Sequence, residues 1–379
     1  MTNMQQLKSI FIVTFITAIL WMGIDLLGGH RVMQLMGLEA PKDDVRTKDA
    51  YFHHGLRPNF DGESYWGPIK YRICTDASGF KISCSAKSDN KEKAFDVAFL
   101  GDSFVEGVGL VNENTFVSMI GQAKPELKIA NLGVVSYSPT IYLKKLEYLF
   151  SQGYHFKKII VFIDISDIQD EAIFYDVREG RVFSHADEPP FDNYWQYLRW
   201  RVSVYLPLTD VGINNIKASV SKLLKRPDPK QERSAATVTV NTPAPIYSDK
   251  DFPRSSWTYD LQASNYGPGG VQAGIDKSLK QMEAVYELAR AHGASLSVGV
   301  YPWPGQLLYD KENSLQAKIW RDFCNKRCEH FYNFFPTFFA LSSKSDVNAV
   351  LSQFYIKGDY HFNQQGNRVI ADQIIEQGF

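Results

Sequence analysis

The longest uniform stretch of the chain lies near its start. Residues 9–24, SIFIVTFITAILWMGI, carry no charged side chain, and Leu26 and Leu27 continue the run past Asp25. About 20 residues at a rise of 1.5 Å cross a ~30 Å hydrocarbon core, so the run predicts an N-terminal transmembrane helix within residues 1–30. Lys8 ahead of it favours a cytoplasmic N-terminus, and Arg31 beyond it works against that orientation. Asp25 is expected near the outer interface, where its charge reaches water. A cleaved signal peptide has the same outline. No small-x-small cleavage site follows the run, so the expectation is an uncleaved single-pass anchor with the rest of the chain outside the cytoplasm.

Residues 31–94 read as an irregular lead-in, polar and without a sustained period. Within it YRICTDASGFKISC has the form of a hairpin turning on Asp76-Ala-Ser-Gly79. From residue 95 the pattern changes. FDVAFLG, LKIANLG and KKIIVFIDI are short apolar runs that read as buried strands. Between them NENTFVSMIGQA, with Asn112 or Asn114 as a cap, and SPTIYLKKLEYLFSQG read as helices. In the second helix Ile141, Leu146, Leu149 and Phe150 form one stripe and Gly153 ends it. After residue 270 come a helix over 271–292, the strand ASLSVGVYP, the helix SLQAKIWRDFCNKRCEH and the strand FYNFFP. A last helix runs from about 363 to 376 with Asn363 as its cap. Alternation of this kind predicts an α/β fold with a central parallel sheet covered by helices on both faces.

The alternation is broken by an insertion at about 176–260. Residues 194–225 are helical in pattern with a break at Pro207. Residues 226–250, rich in Pro, Ser, Thr and charge, read as a mobile loop. The domain reading is therefore an anchor at 1–30, a lead-in at 31–94, and one large domain at 95–379 that carries the insertion.

Net charge is −1 and no basic patch is interleaved with aromatic residues, which argues against nucleic acid as a partner. Aromatic residues make up 14%; they suit a sugar-binding groove or simply a well-filled core. The four cysteines, Cys74, Cys84, Cys324 and Cys328, fall into two close pairs, as two local disulfides in an oxidising compartment would. Cys324-x3-Cys328 with His330 lacks the second ligand cluster of a zinc site, and neither metal nor cofactor is expected.

Four segments carry candidate chemistry. In FLGDSFVEG, Ser103 lies just past the carboxyl end of the first strand, the edge where open α/β sheets place reactive groups. The helix that follows offers N–H groups, that of Ser103 included, to a developing oxyanion. In GDYHFNQQGN, His361 is a candidate base for the serine and Asp359 a candidate orienter of the imidazole; an exposed loop histidine beside a capping aspartate is the plainer alternative. NLGVVSYSP places Gly133, with its bare backbone N–H, at the end of the second strand. FIDISDIQDE follows the third strand, with Ser166 and Asp167 where a side-chain donor could help. The carboxylates Asp164, Asp167, Asp170 and Glu171 could suggest a metal site or a glycosidase pair, but a solvated turn running into a helix N-terminus accounts for them as well. Trp303, in YPWPG after the fourth strand, could stack on a sugar or pack within its loop.

In this order the four segments resemble the SGNH hydrolase superfamily, the GDSL esterases, over roughly residues 95–175 and 270–379. The resemblance implies a three-layer α/β/α flavodoxin-like fold and acyl transfer through a serine ester. Ser103 would be the nucleophile, His361 the base and Asp359 its orienter; the oxyanion donors would be the N–H groups of Ser103 and Gly133 with Ser166 in the place of the family's Asn. Asp167 and Trp303 are expected to line the substrate site. The chain departs from the family pattern at two places. Ser166 is a shorter and less well aimed donor than Asn, and the loss of one such donor costs roughly 10²–10³ in rate. The spacing Asp359-x-His361 is tighter than the commoner Asp-x-x-His. That spacing and the N-terminal anchor are similar to the exported, alginate O-acetyltransferase-like subset. The expected function is thus an ester hydrolase or O-acetyltransferase, with an acylated extracytoplasmic glycan or acyl donor as partner and a membrane-embedded acyltransferase as a further one. The alternative is a non-catalytic glycan-binding or scaffold protein of an envelope assembly. No G-x-S-x-G elbow, P-loop or H-E-x-x-H motif is present, which excludes those templates.

Overall fold

The computed structural model describes residues 3–36, 44–86, 92–187, 194–224, 252–344 and 346–379. The loop expected at 226–250 lies outside them. In chain order the elements are α1 (Asn3–Leu35), β1 (Arg46–Asp49), β2 (His53–Leu56), β3 (Asp61–Trp66), β4 (Ile69–Thr75), β5 (Lys81–Ile82), β6 (Ala94–Leu100), α2 (Ser103–Glu106), α3 (Phe116–Ala123) and β7 (Ile129–Asn131). Next come α4 (Pro139–Ser151), β8 (His155–Phe162), α5 (Asp167–Ile173), β9 (Tyr175–Arg178), β10 (Arg181–Ser184), α6 (Tyr194–Tyr205), α7 (Pro207–Leu224) and α8 (Phe252–Ser255). The remainder is α9 (Gly270–Ala291), β11 (Ser295–Val300), α10 (Pro304–Tyr309), α11 (Leu315–Cys324), β12 (Phe331–Asn333), α12 (Phe335–Lys344), α13 (Val347–Phe354) and α14 (Gln364–Gln377).

The chain divides into two compact units: Met1–Lys42 with Glu188–Thr242, and Asp43–Asp187 with Pro243–Phe379. In the larger unit the five apolar runs form one parallel sheet in the order β12-β11-β8-β6-β7. Counted along the chain, that is second-first-third-fourth-fifth, the flavodoxin-like winding. The inner strands are buried on both sides: in β8 the last four residues, Ile159 to Phe162, are all at or below 1% exposure, as a strand covered by helices on both faces requires. From β6 the chain crosses through α3 to β7 on one side and then returns through α4 to β8 on the other. Right-handed crossovers taken in opposite directions put their helices on opposite faces. Accordingly α3 packs with α14, while α4 and α5 pack with α9. Ile141, Leu146, Leu149 and Phe150 are all buried, and Gly153 follows α4 at φ +81°.

Three sequence expectations need correction. The cap of α3 is Thr115, whose hydroxyl accepts the Ser118 N–H at 3.3 Å; Asn112–Asn114 instead form a 3-10 turn. The lead-in is not irregular. Besides the expected hairpin it holds β1 paired with β2, and β3 on the other edge of β4. Its residues Val45, Leu56, Ile73 and Phe80 are part of the main core. Nor does all of 176–260 stand apart: the β9–β10 hairpin and Trp257 belong to the sheet unit, with Trp257 fully buried and its indole N–H on Ile165 O at 2.8 Å. The four-residue strands β1, β2, β9 and β10 carry too little periodicity, and β3, DGESYW, too few apolar residues, to be recognised from sequence. Disulfides join Cys74 to Cys84 and Cys324 to Cys328, with Cα–Cα distances of 5.1 and 4.7 Å.

In the smaller unit α1 contains one span, Lys8–Leu35, long and apolar enough to cross a membrane. Packed against it is α7, and α6 packs on α7; the two break at Pro207 as expected. Proline at the first helical position forfeits an N–H that would have no intrahelical acceptor anyway.

Candidate active site

Ser103 opens α2 immediately after β6, the strand whose two sheet neighbours are reached by crossovers in opposite senses. That is the switch point at which open α/β sheets leave a crevice. Asp102 caps the short helix, accepting the Phe104 N–H at 3.0 Å. As the first residue of the helix, Ser103 keeps an N–H with no intrahelical acceptor. His361 arrives on the loop ahead of α14, and its Nε2 lies 2.7 Å from Ser103 Oγ. Its Nδ1 lies 2.5 Å from Asp359 Oδ1, which also accepts the His361 backbone N–H at 2.9 Å. A carboxylate on Nδ1 selects the tautomer whose Nε2 is free to accept the serine proton. Ser103 and His361 are 5% and 2% exposed, so the contact is formed out of bulk water.

The imidazole is held by rings on several sides. Phe104 and Tyr360 lie at centroid distances of 4.6 and 4.4 Å, and Trp66 stands edge-on at 4.8 Å. Trp66 does more than pack: its indole N–H donates to Asp359 Oδ2 at 2.8 Å. Burial by itself raises the Asp359 carboxyl. The hydrogen bonds and charge of His361, with the Trp66 donor, outweigh it and hold the group below the usual carboxylate range.

Sequence reasoning missed Trp66, which belongs to the lead-in and sits nearly 300 positions from its partner. It also missed Glu106. This carboxylate is fully buried at the end of α2, binds the Arg46 guanidinium with one oxygen and accepts the Val135 N–H at 2.9 Å with the other. Glu106 thus ties the lead-in and the loop after β7 to the serine helix. The motif FLGDSFVEG contained a signal, an acid one helical turn after Ser103 on an otherwise apolar segment.

The other expected site residues are placed differently. The hydroxyl of Ser166 donates to Asp164 Oδ1 at 2.6 Å, and its backbone N–H donates to the same oxygen at 2.8 Å. A hydroxyl has one proton, so Ser166 does not present a donor to an oxyanion here. The Gly133 N–H is bonded to Asn131 Oδ1 at 3.0 Å. Glycine at 133 is needed for close approach: a Cβ there would lie 2.4 Å from Glu106 N and 2.6 Å from the Val105 carbonyl carbon. Asp167 is fully buried, with Oδ2 on the Tyr142 hydroxyl at 2.9 Å and Oδ1 unpartnered. Trp303 is 2% exposed; its indole N–H donates to Asp164 Oδ2 at 2.6 Å and its ring stacks on Tyr360 at 4.0 Å. Both side chains are buried and bonded within the protein. The acidic segment that could have been a solvated turn is instead a buried network, with Asp164, Asp167, Asp170 and Glu171 at 0, 0, 3 and 1% exposure.

That network bears on the nucleophile. Ser103 Oγ lies 3.1 Å from Asp102 Oδ2 as well as 2.7 Å from His361. Burial first, and then the charge of Asp164, push the Asp102 carboxyl well above its ordinary value. A carboxyl shifted in that direction holds a proton more readily and competes less for that of the serine, which favours the His361 contact. Tyr301 bridges the two acids, its hydroxyl 3.0 Å from Asp164 Oδ2 and 3.3 Å from Asp102 Oδ1. Burial and the neighbouring acids raise Asp167 in the same way, and burial, opposed by Arg254, brings Asp170 to about 6.

Fold and site together define a three-layer α/β protein that carries a serine–histidine–aspartate constellation at its topological switch point. No family model and no curated protein matches the chain. Among solved structures it is similar to a lipolytic protein of the G-D-S-L family from Veillonella parvula, at 10% identity over 74% of this chain and 96% of that one, with a TM-score of 0.39. An acetyl xylan esterase is similar at 13% identity over 75% and 100%, with a TM-score of 0.40. A psychrotrophic esterase from a Pseudoalteromonas species is similar at 12% identity over 75% and 96%, with a TM-score of 0.35.

Proposed function

We propose that this protein is a serine ester hydrolase or O-acyltransferase that works through an acyl-Ser103 intermediate. The observation that carries the reading is the unbroken chain from Asp359 Oδ1 through His361 to Ser103 Oγ, at 2.5 and 2.7 Å. In the first half-reaction Ser103 Oγ attacks the ester carbonyl carbon while its proton passes to His361 Nε2. The new oxyanion faces the Ser103 N–H. Collapse breaks the bond to the leaving alcohol, which takes the proton back from His361. In the second half-reaction His361 deprotonates water or a sugar hydroxyl, that oxygen attacks the acyl carbon, and Ser103 leaves with the proton. Asp359 stabilises the imidazolium in both halves.

The substrate proposed is a glycan outside the cytoplasm, acylated in the hydrolytic direction and offering a free hydroxyl in the transfer direction, with α1 as the tether and a membrane-embedded acyltransferase as the acyl source for transfer. With Ser166 and Gly133 both bonded internally, oxyanion stabilisation toward a small, loosely held ester is weak, and binding energy from a large glycan can offset it. The same two bonds favour the second reading, a non-catalytic scaffold.

One experiment separates them. The full chain is incubated with p-nitrophenyl acetate, with and without acetylated oligosaccharide, and the Ser103 peptide is weighed by mass spectrometry. An acetyl group on Ser103, slow turnover of the small ester and a gain with oligosaccharide are expected. Absence of acylation, together with no labelling by a fluorophosphonate, leaves the scaffold reading. Turnover of the small ester on the order of 10 s⁻¹ or faster, indifferent to glycan, makes it a general esterase.

A further inference from the structure

The smaller unit has a use beyond tethering. In α1 the side chains of Phe11, Phe15, Ile19, Leu20 and Ile24 are about half exposed or more, a patch that only lipid covers comfortably. Yet α1 is not a free-standing span. Asp25 is fully buried and its carboxylate caps α7 from outside, accepting the Leu208 and Thr209 N–H groups at 3.0 and 2.8 Å and the Thr209 hydroxyl at 2.6 Å. The Trp21 indole donates to the same hydroxyl at 2.9 Å, and His30 Nε2 lies 2.8 Å from Val204 O. Gly29 permits the contact, since a Cβ there would sit 3.0 Å from the Pro207 ring and 2.3 Å from Asp25 Oδ1. The insertion is therefore built onto the helix. From Lys8 to Asp25 an α-helix rises about 25 Å, most of a ~30 Å core, which puts the joint near the far interface.

At its start α6 exposes Tyr194 and Trp195, residue types that settle among headgroups. Between α6 and α1 lies a groove of about 420 Å³. Its walls are apolar, with Met22 and Leu26 from α1 and Leu198 and Val202 from α6, and Arg201 is the one charged residue among them. The Arg201 guanidinium sits 4.6 Å over the Tyr205 ring and 3.1 Å from the Tyr197 hydroxyl. No carboxylate pairs with it among the described residues. An apolar trough that opens on a lipid-facing helix and holds one unneutralised cation at headgroup level is complementary to a single ligand chemistry: an acyl chain ending in a phosphate.

We propose that this groove is a seat for an anionic glycerophospholipid, with one acyl chain along Met22, Leu26, Leu198 and Val202 and the phosphate on Arg201. The proposal rests on α1 spanning the bilayer and is independent of the chemistry at Ser103.

The full chain in nanodiscs of equimolar phosphatidylcholine and phosphatidylglycerol, released for native mass spectrometry, tests it. Wild type is expected to retain phosphatidylglycerol over phosphatidylcholine by about fivefold, the ratio given by ~1 kcal/mol for one basic residue at an anionic surface. Arg201→Gln is expected to bring the ratio to unity. Gly23→Leu, placed where a Cβ meets no atom within 4 Å, grows into the groove without disturbing the helix and is expected to lose the retained lipid of both kinds, with helical content unchanged by circular dichroism. Retention of the two lipids in the membrane's own ratio by wild type overturns the proposal. So does a preference that survives both substitutions, or failure of the chain to enter nanodiscs at all.

Discussion

The indole N–H of Trp66 and Oδ2 of Asp359 are 2.8 Å apart, and through that bond a residue of the lead-in sheet holds the carboxylate that orients His361. Trp66→Phe keeps the edge-on ring against the imidazole and removes only the donor. Hydrogen bonds to charged groups contribute about 1.5–3 kcal/mol, so kcat/KM on an acetyl ester is expected to fall roughly 10- to 100-fold. Without the donor the Asp359 carboxyl rises, and the acid limb of the pH–rate profile should move to higher pH. A loss of rate with an unmoved profile would assign Trp66 to packing alone.

Two aspartates flank the nucleophile system and are expected to respond in opposite ways. Burial and the charge of Asp164 raise the Asp102 carboxyl and so favour its neutral form, whose shape Asp102→Asn keeps. It should leave kcat within roughly tenfold of wild type. Asp359→Asn removes a working charge and presents the wrong partner to His361, for which a loss of roughly 10³–10⁴ in kcat is expected. Steady-state rates of the two variants side by side decide the matter; equal losses would mean that Asp102 is ionised.

Ser166→Ala measures whether the hydroxyl serves the oxyanion. Its proton goes to Asp164 at 2.6 Å, and the backbone N–H remains on the same oxygen after truncation. A fall in kcat of less than about tenfold is expected, against the roughly 10²–10³ that follows loss of a true oxyanion donor.

Stability should depend on His54. Its Nε2 lies 2.7 Å from Val135 O, which can only accept, so the ring is a donor there. Burial first, then the neighbouring His53, Lys145 and Arg46 charges, pull its pKa down to about 4 against the opposing effect of the Val135 carbonyl. The folded value is below the unfolded one of about 6.5, so the unfolded chain binds more protons between the two. The contribution is complete above about pH 6.5 and is lost as pH falls toward 4. Asp170, raised to about 6, acts in the opposite sense over part of that window, so the informative quantity is a difference. His54→Gln, whose amide can still donate to Val135, is expected to flatten the acid slope of the melting temperature relative to wild type.

Much of this protein was legible in its amino-acid order because the relevant physics is local. Five apolar runs bounded by helical stripes required a covered parallel sheet. Ser103 was marked by its place between a strand and a helix start, and Asp359 and His361 lie two positions apart on one loop. Paired cysteines ten and four residues apart close without regard to the rest of the fold. What the tertiary structure alone decided is which partner each of several side chains meets. Ser166 looked like a donor to substrate until Asp164, two residues back, proved to hold its proton. Trp303, which could have stacked on a sugar or packed within its loop, has one ring face on Tyr360 and its N–H on Asp164. Trp66 had no local signature at all, since an indole reaches a carboxylate 293 positions away only after β3 has paired with β4. Asp25, expected to meet water at an interface, caps α7 instead. A side chain's type says which bonds it can make; which partner takes its one proton, or its last lone pair, is settled only when the chain has folded.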